Sequence, residues 1–94
     1  MSFVKRYIRE QSDSDPEFRA EYEAEALRLK LVRAREKAGL TQRQLAEQLG
    51  VSQPRIAQVE RGSRPMSTTF LLQYAAAVRM KLELRPRSAP KAEP

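Results

Sequence analysis

The chain has no cysteine and no histidine among its 94 residues. Without cysteine it cannot form disulfide bonds or thiolate metal sites, and without histidine it lacks the commonest general base and metal ligand. No apolar run approaches the ~20 residues that span a bilayer, and the N-terminal segment has no apolar core of the kind found in a secretory signal. We therefore expect a cytoplasmic, non-enzymatic protein without a metal or other cofactor.

Charge is unevenly distributed along the chain, which is long enough for one domain with a single modest core. Residues 27–65 carry nine basic and three acidic side chains, whereas residues 1–26 carry four basic and seven acidic ones. Residues 66–94 carry five basic and two acidic ones, and the net charge is +6. A local positive field of this kind indicates a polyanionic partner, although a basic face can also serve solubility alone.

Glycine is scarce, and each of the three glycines ends a predicted helix. Residues 1–15 are predicted to be a flexible segment, after which Asp15 and Pro16 begin a helix of about residues 16–38 that Gly39 ends. Apolar residues at helical spacing predict two packing stripes on this helix. The first contains Leu27, Leu31, Ala34 and Ala38, and the adjoining one contains Phe18, Tyr22, Leu29 and Val32.

Cap residues predict three further helices. These begin after Thr41, Ser52 and Ser67 and end at Gly50, at Gly62 and near Val78. The alternation in KLELR predicts a short strand at 81–85 that could contact a dimer mate or a partner, and 86–94 is predicted to be a disordered tail. The predicted fold is all-α, a bundle of four to five helices in a domain of residues 16–80, with this one short C-terminal β-strand.

Residues 41–62, TQRQLAEQLGVSQPRIAQVERG, resemble the helix-turn-helix of the phage-repressor and Cro family. Ala46 is small where two steeply crossing helices must approach, and Gly50 allows the left-handed backbone of the turn. The wedge between the helices is filled by Leu45, Leu49, Val51, Ile56 and Val59. The resemblance implies a lambda-repressor-like DNA-binding bundle whose second motif helix enters the major groove.

Polar residues on the outer side of this motif are the candidate DNA contacts. Glutamine and arginine pair well with adenine and guanine edges, so Gln53, Arg55 and Gln58 are predicted base contacts. Pro54 beside them is a predicted contact to a thymine methyl group, since it cannot pair with a base edge. Helix N-termini and arginines favour phosphate, so the predicted phosphate contacts are Thr41, Gln42, Arg43, Arg61, Ser63 and Arg64. The alternative for each of these residues is an ordinary solvated surface.

Arg35 and Glu60 match a pair of positions in the repressors that the motif resembles. There, an arginine of the first helix pairs with a glutamate that closes the recognition helix, which implies a structural ion pair here. The alternative is two unpaired surface groups.

The layout beyond the motif resembles that of HigA-type antitoxins. The resemblance rests on DPEFRAEYEAE, TTFLLQYAAAV and KLELR around the motif. It implies a protein that neutralises a RelE-like ribonuclease toxin by binding it and represses its own operon. Apolar residues in an acidic setting are the candidate toxin contacts, namely Phe3, Val4, Tyr7, Ile8, Phe18 and Tyr22. Alternatively, Phe18 and Tyr22 complete the core and residues 1–15 have no role.

Two other functions remain open from the sequence. A stand-alone phage-type or chromosomal repressor would use the same motif without a toxin, and a protein–protein adaptor would keep the shape without binding DNA. The arginine-rich outer face argues against the adaptor. Because one recognition helix reads only a few base pairs, we expect a homodimer on a palindromic operator, formed through the fourth helix or the strand 81–85.

Overall fold

A computed structural model describes residues 15–86, which fold into four helices. They are α1 (Pro16–Lys37), α2 (Gln42–Leu49), α3 (Gln53–Arg61) and α4 (Thr68–Ala77). The all-α class and the bounds of these helices agree with the expectations from the sequence to within a residue or two. The tail 87–94 and most of the segment predicted to be flexible lie outside the described residues.

Side chains just before each helix satisfy the free amides of its first turn, as the sequence predicted. Asp15 Oδ1 accepts from the amides of Glu17 and Phe18, at 3.1 and 3.2 Å. Thr41 forms a full capping box, in which its Oγ1 accepts from the Gln44 amide at 3.0 Å and its own amide donates to Gln44 Oε1 at 2.9 Å. The corresponding caps of α3 and α4 are Ser52 and Ser67.

The turn between α2 and α3 depends on Gly50. Its φ of 70° lies in the left-handed region, which residues with a Cβ adopt only at a cost. The chain reverses there, and the amide of Val51 donates to the carbonyl of Ala46 at 3.0 Å. Ala46 is 3% exposed at the crossing, so a larger side chain would force the two helices apart.

The core lies where the C-terminal half of α1 meets the other three helices. Leu45 of α2, Ile56 and Val59 of α3, and Tyr74 of α4 are all 0% exposed. Leu31 of α1 completes this layer. Since α2 and α3 bury their apolar sides here, the opposite sides of both helices are left facing solvent.

The second predicted stripe of α1 is not packed into the core. Tyr22 and Leu29 are 45% and 47% exposed, and Phe18 and Val32 are only half-buried. Buried residues of α1 are confined to Leu31 and Arg35. Helical spacing thus identified residues that can be buried together, but the described part of the chain supplies nothing to cover them.

The predicted strand at 81–85 is wrong. Residues 80–86 have no regular secondary structure, and the described residues contain no strand. The physical reason is that a strand needs hydrogen-bonding neighbours, which four helices do not provide. Leu82 instead packs against the core as a single half-buried side chain, while Leu84 is fully exposed.

Candidate nucleic-acid interface

The outer face of α3 carries three of the predicted base contacts. With Ile56 and Val59 pointing into the core, Gln53 and Pro54 are exposed and Gln58 is half-buried. They lie together because residues four apart share a helix face, and Gln58 follows Pro54 at that spacing. The side chains at the N-terminal end of this face carry no charge, so the positive end of the helix dipole is the local electrostatic feature there.

The N-terminus of α2 lies beside this face and can hold an anion. Gln42 and Arg43 occupy the first turn of α2, where amides have no acceptor within the helix. Thr41 is partly engaged, because the capping box occupies both its amide and one lone pair of its hydroxyl. Its hydroxyl hydrogen remains able to donate.

A chain of hydrogen bonds joins α3 to α2 across the two predicted classes of contact. Nε2 of Gln53 donates to Oε1 of Gln42 at 2.7 Å, and Nε2 of Gln42 donates to Oε1 of Glu60 at 3.0 Å. These bonds fix the orientation of both amide groups, because each one uses an N–H of one side chain and an oxygen of the next. The second N–H of each amide stays available for an external acceptor.

Glu60 accepts the last hydrogen bond of this series. Two nitrogens of Arg35 in α1 donate hydrogen bonds to its carboxylate. Nε lies 2.7 Å from Oε2, and NH2 lies 3.1 Å from Oε1. A third guanidinium nitrogen of Arg35 donates to the carbonyl of Leu40 at 2.7 Å. The side chains of Arg35 and Glu60 are 10% and 7% exposed, so this is a buried, bidentate ion pair.

The hydroxyl of Tyr74 also donates to Oε2 of Glu60. Burial raises the pKa of Glu60, but the hydrogen bonds from Arg35, Tyr74 and Gln42 outweigh it and hold this pKa below its usual value. The hydrogen bond from Arg35 to Glu60 raises the pKa of the guanidinium, and burial together with Glu60 raises the pKa of the phenol. At neutral pH the cluster therefore consists of a guanidinium, a carboxylate and a neutral phenol.

Arg55 does not share the outer face with the other predicted base contacts. Its guanidinium carbon lies 4.5 Å from the centroid of the Phe70 ring, and its Nε is buried without a hydrogen-bond partner among the described residues. Arg55 precedes the buried Val59 by four positions, so it lies on the side of α3 that faces α4. It would have to leave the ring of Phe70 to reach a base edge.

The remaining predicted phosphate contacts lie at the last residue of α3 and in the loop that follows it. Arg61, Ser63 and Arg64 are all exposed. Ser63 is held by the C-terminal turn of α3, since its amide and its hydroxyl both donate to the carbonyl of Gln58, at 3.0 and 3.3 Å. With Arg43 at the other end of the motif, the surface carries three exposed arginines around an uncharged centre.

Two residues matter more here than the sequence reasoning recognised. Tyr74 is not among the predicted site residues and Gln42 is predicted only as a phosphate contact, yet Tyr74 donates to Glu60 and Gln42 connects Glu60 to Gln53. The available signal was the phenol itself, because a buried tyrosine hydroxyl usually has a partner. Of the predicted toxin contacts, Phe18 is half-buried and Tyr22 is exposed on α1, while Phe3, Val4, Tyr7 and Ile8 lie outside the described residues.

A groove of about 590 Å³ runs between α1 and α3, with Leu29, Val32 and Ala57 among its lining residues. No group of three acidic side chains that could hold a metal ion occurs in residues 15–86. Nor, in this part of the chain, is any helix both long and apolar enough to cross a lipid bilayer.

Comparison with known proteins identifies the same region. The family model for a helix-turn-helix domain matches residues 26–87. Two curated proteins, each named an uncharacterized HTH-type transcriptional regulator, from Mycobacterium tuberculosis strains CDC 1551 / Oshkosh and ATCC 25618 / H37Rv, are 50% identical over 50 residues. The match covers 53% of this chain but 36% of each relative, so the chain spans little more than a third of their length. No solved structure matches the chain.

Proposed function

Because this chain belongs to the helix-turn-helix domain family, we propose that it is a sequence-specific DNA-binding regulator of transcription. The observation that carries the proposal is the hydrogen-bonded chain from Gln53 through Gln42 to Glu60. It fixes one amide at the base-reading end of α3 and another at the phosphate-binding end of α2. Side chains on an ordinary solvated surface are not usually held in one orientation by a series of hydrogen bonds.

In this proposal the outer face of α3 enters the major groove. Gln53 and Gln58 read base edges, for which their amides offer the donor and acceptor that adenine requires. Pro54 has no side-chain donor, so it contributes an apolar contact such as one with a thymine methyl group. Arg55 contacts a base in the major groove only if its guanidinium leaves the ring of Phe70. Otherwise it packs α3 against α4 on the side away from the DNA.

Backbone phosphates are contacted on both sides of this face. The amides of Gln42 and Arg43 and the hydroxyl of Thr41 bind one phosphate at the start of α2. Another phosphate is bound by Arg61 at the end of α3 and by Ser63 and Arg64 in the loop after it. The buried pair of Arg35 and Glu60 orients the helices and does not itself contact DNA.

The test is selection of bound sequences from a random duplex library, followed by titration of the selected duplex at two salt concentrations. A defined motif, with an affinity that falls steeply as salt rises, is the expected result. Equal binding to scrambled duplexes would contradict sequence-specific recognition. The absence of salt-sensitive binding to any duplex would favour the protein–protein adaptor.

Neutralisation of a RelE-like toxin, together with repression of its own operon, is a further proposal that rests on the resemblance to HigA-type antitoxins. The exposed apolar side chains of α1, with Tyr22 among them, favour a protein contact of some kind. Co-purification with the product of the neighbouring gene tests this proposal. A co-purified ribonuclease of similar size would support it, and DNA binding with no such partner would favour the stand-alone repressor.

A further inference from the structure

The guanidinium of Arg28 in α1 lies against the C-terminal end of α3. Gly62 caps this end of α3, and a Cβ placed on it would lie 2.8 Å from NH2 of Arg28 and 2.9 Å from both Cζ and Nε. A point at such nearly equal distances from these three atoms lies above the plane of the group and not at its edge. The guanidinium is therefore flat against the α-carbon of Gly62, where a residue with a Cβ would not fit.

Glu25 holds this guanidinium from the same helix. Its Oε1 lies 2.5 Å from NH2 of Arg28, three positions further along α1. The side chain of Arg28 is only 25% exposed, although surface arginines are usually well solvated. The negative end of the α3 dipole also lies at Gly62, where it attracts a cation. Glu25 and the end of α3 thus both favour the position of Arg28 over Gly62.

The loop that follows Gly62 carries two of the predicted phosphate contacts. Ser63 is bonded to the carbonyl of Gln58, but Arg64 forms no hydrogen bond or ion pair with any other residue between positions 15 and 86. A cavity of about 400 Å³ lies between this loop and α1, and Arg28, Ser63 and Arg64 are among its lining residues. The cavity leaves the loop room to move, so the contact of Arg28 with Gly62 is what links the start of the loop to α1.

We infer that Arg28 is a positioning residue for DNA binding, whose flat guanidinium fixes the start of the loop and so the place from which Arg64 meets a phosphate. The role depends on the shape of the guanidinium more than on its charge, because Glu25 already pairs that charge. A lysine would keep the charge but could not lie flat over Gly62. The inference rests on the proposed DNA-binding function and adds to it a residue outside the helix-turn-helix motif.

The contact itself is tested without DNA, by nuclear magnetic resonance on the full chain. We expect a nuclear Overhauser effect between the Hε proton of Arg28 and the α-protons of Gly62, because the guanidinium lies over that α-carbon. Arg33 is the control, since it is exposed on the same helix, and its Hε proton should show no such effect. Absence of the effect for Arg28 would overturn the inference whatever the chain does with DNA.

Charge and shape are separated by the variant Arg28→Lys. Affinity for the selected duplex is measured by fluorescence anisotropy. We expect about a fivefold loss for Arg28→Lys, within the range for interacting neighbours, although the net charge is unchanged. Arg33→Lys is the matched control and should bind as the wild type does, because Arg33 forms no hydrogen bond or ion pair with another described residue. Wild-type affinity in Arg28→Lys would overturn the inference.

A double-mutant cycle with Arg64 distinguishes positioning from a general loss of stability. Arg64→Ala should weaken binding by itself, and adding Arg28→Lys should then cause no further loss, because the contact that Arg28 positions is already absent. Additive losses would overturn the inference, since Arg28 would then act independently of Arg64. Urea unfolding checks that each variant is folded under the conditions of the assay. If the wild type binds no duplex, the proposed function fails and this role with it, whereas normal wild-type binding with additive losses refutes this role alone.

Discussion

Arg35 of α1 and Tyr74 of α4 share one oxygen of Glu60. The Tyr74 hydroxyl and Nε of Arg35 both donate to Oε2, and Oε1 receives NH2 of Arg35 and the amide of Gln42. The carboxylate is thus surrounded by four donors from three helices, and these bonds fix the C-terminal end of α3. Stability and the geometry of the proposed DNA-reading face therefore depend on the same few hydrogen bonds.

Tyr74→Phe should destabilise the domain while leaving its fold intact. The ring still fills its place in the core, but a buried carboxylate loses one donor, which typically costs about 1 to 3 kcal/mol. Urea unfolding followed by circular dichroism measures the change. Tyr22→Phe is the matched control, because the Tyr22 ring is exposed, and an equal loss in both variants would contradict this account.

Stability should fall in acid more steeply for the wild type than for Glu60→Gln. The pKa of Glu60 is lower in the folded protein than its usual value near 4.5. Its contribution is therefore complete above the unfolded pKa and is lost as pH falls through the lower folded pKa. Urea midpoints from neutral pH down to about pH 3 measure the effect. Glu47→Gln, at an exposed position of α2, should follow the wild-type pH profile.

Gln42→Ala should impair DNA binding beyond the loss of one phosphate contact. It also removes the acceptor that holds Gln53, so we expect about a tenfold loss of affinity, or roughly 1.4 kcal/mol, with relaxed preference at the base read by Gln53. Fluorescence anisotropy on the selected duplex and its single-base variants measures both quantities. Gln48→Ala, exposed on the same helix, should change neither of them. Lower affinity with unchanged base preference would show that Gln42 does not position Gln53.

Gln58→Ala and Arg43→Ala should have contrasting effects. The first should relax preference at one base position, by about 1 to 3 kcal/mol, because it removes a base contact. The second should weaken binding to all duplexes alike and reduce the salt slope by about one unit. Titrations of several duplexes over a range of salt distinguish the two. The same uniform loss from both changes would show that Gln58 does not read a base.

Arg79→Gly should stabilise the domain. Arg79 follows α4 with φ at 66°, and it is the one non-glycine residue with positive φ in the described part of the chain. Glycine adopts this backbone without the penalty of a Cβ, so we expect a gain of about 1 kcal/mol after the greater entropy of the unfolded chain is included. Thermal unfolding measures it. Lys81→Gly, at a position without positive φ, should give no gain.

The sequence was sufficient to predict features that depend on neighbouring residues. The helix starts followed from caps such as Thr41 with Gln44, since both partners lie within three positions of each other. The burial of Ile56 and Val59 followed from helical spacing. The motif itself could be recognised because its turn needs Gly50 and its crossing needs a small residue.

Features that depend on distant parts of the chain were harder to predict. The stripe containing Tyr22 and Leu29 has the spacing of a packed face, but spacing does not reveal whether a neighbour is present. Residues 81–85 have the alternation of a strand, but residues 15–86 contain no second strand to pair with them. Arg55 lies over the ring of Phe70 from another helix, a contact that the sequence does not reveal, and its base contact stays a prediction.

The local caps also bear on how fast the domain folds. Because the side chain that starts each helix lies next to it in sequence, all four helices can begin to form before the domain is compact. Helical domains dominated by such short-range contacts usually fold within microseconds to milliseconds. The Glu60 cluster is different, since Arg35 lies 25 residues before Glu60 and Tyr74 lies 14 after it. Its assembly must wait for loop closures of 25 and 14 residues, so the C-terminal end of α3 is fixed only after the helices have begun to form.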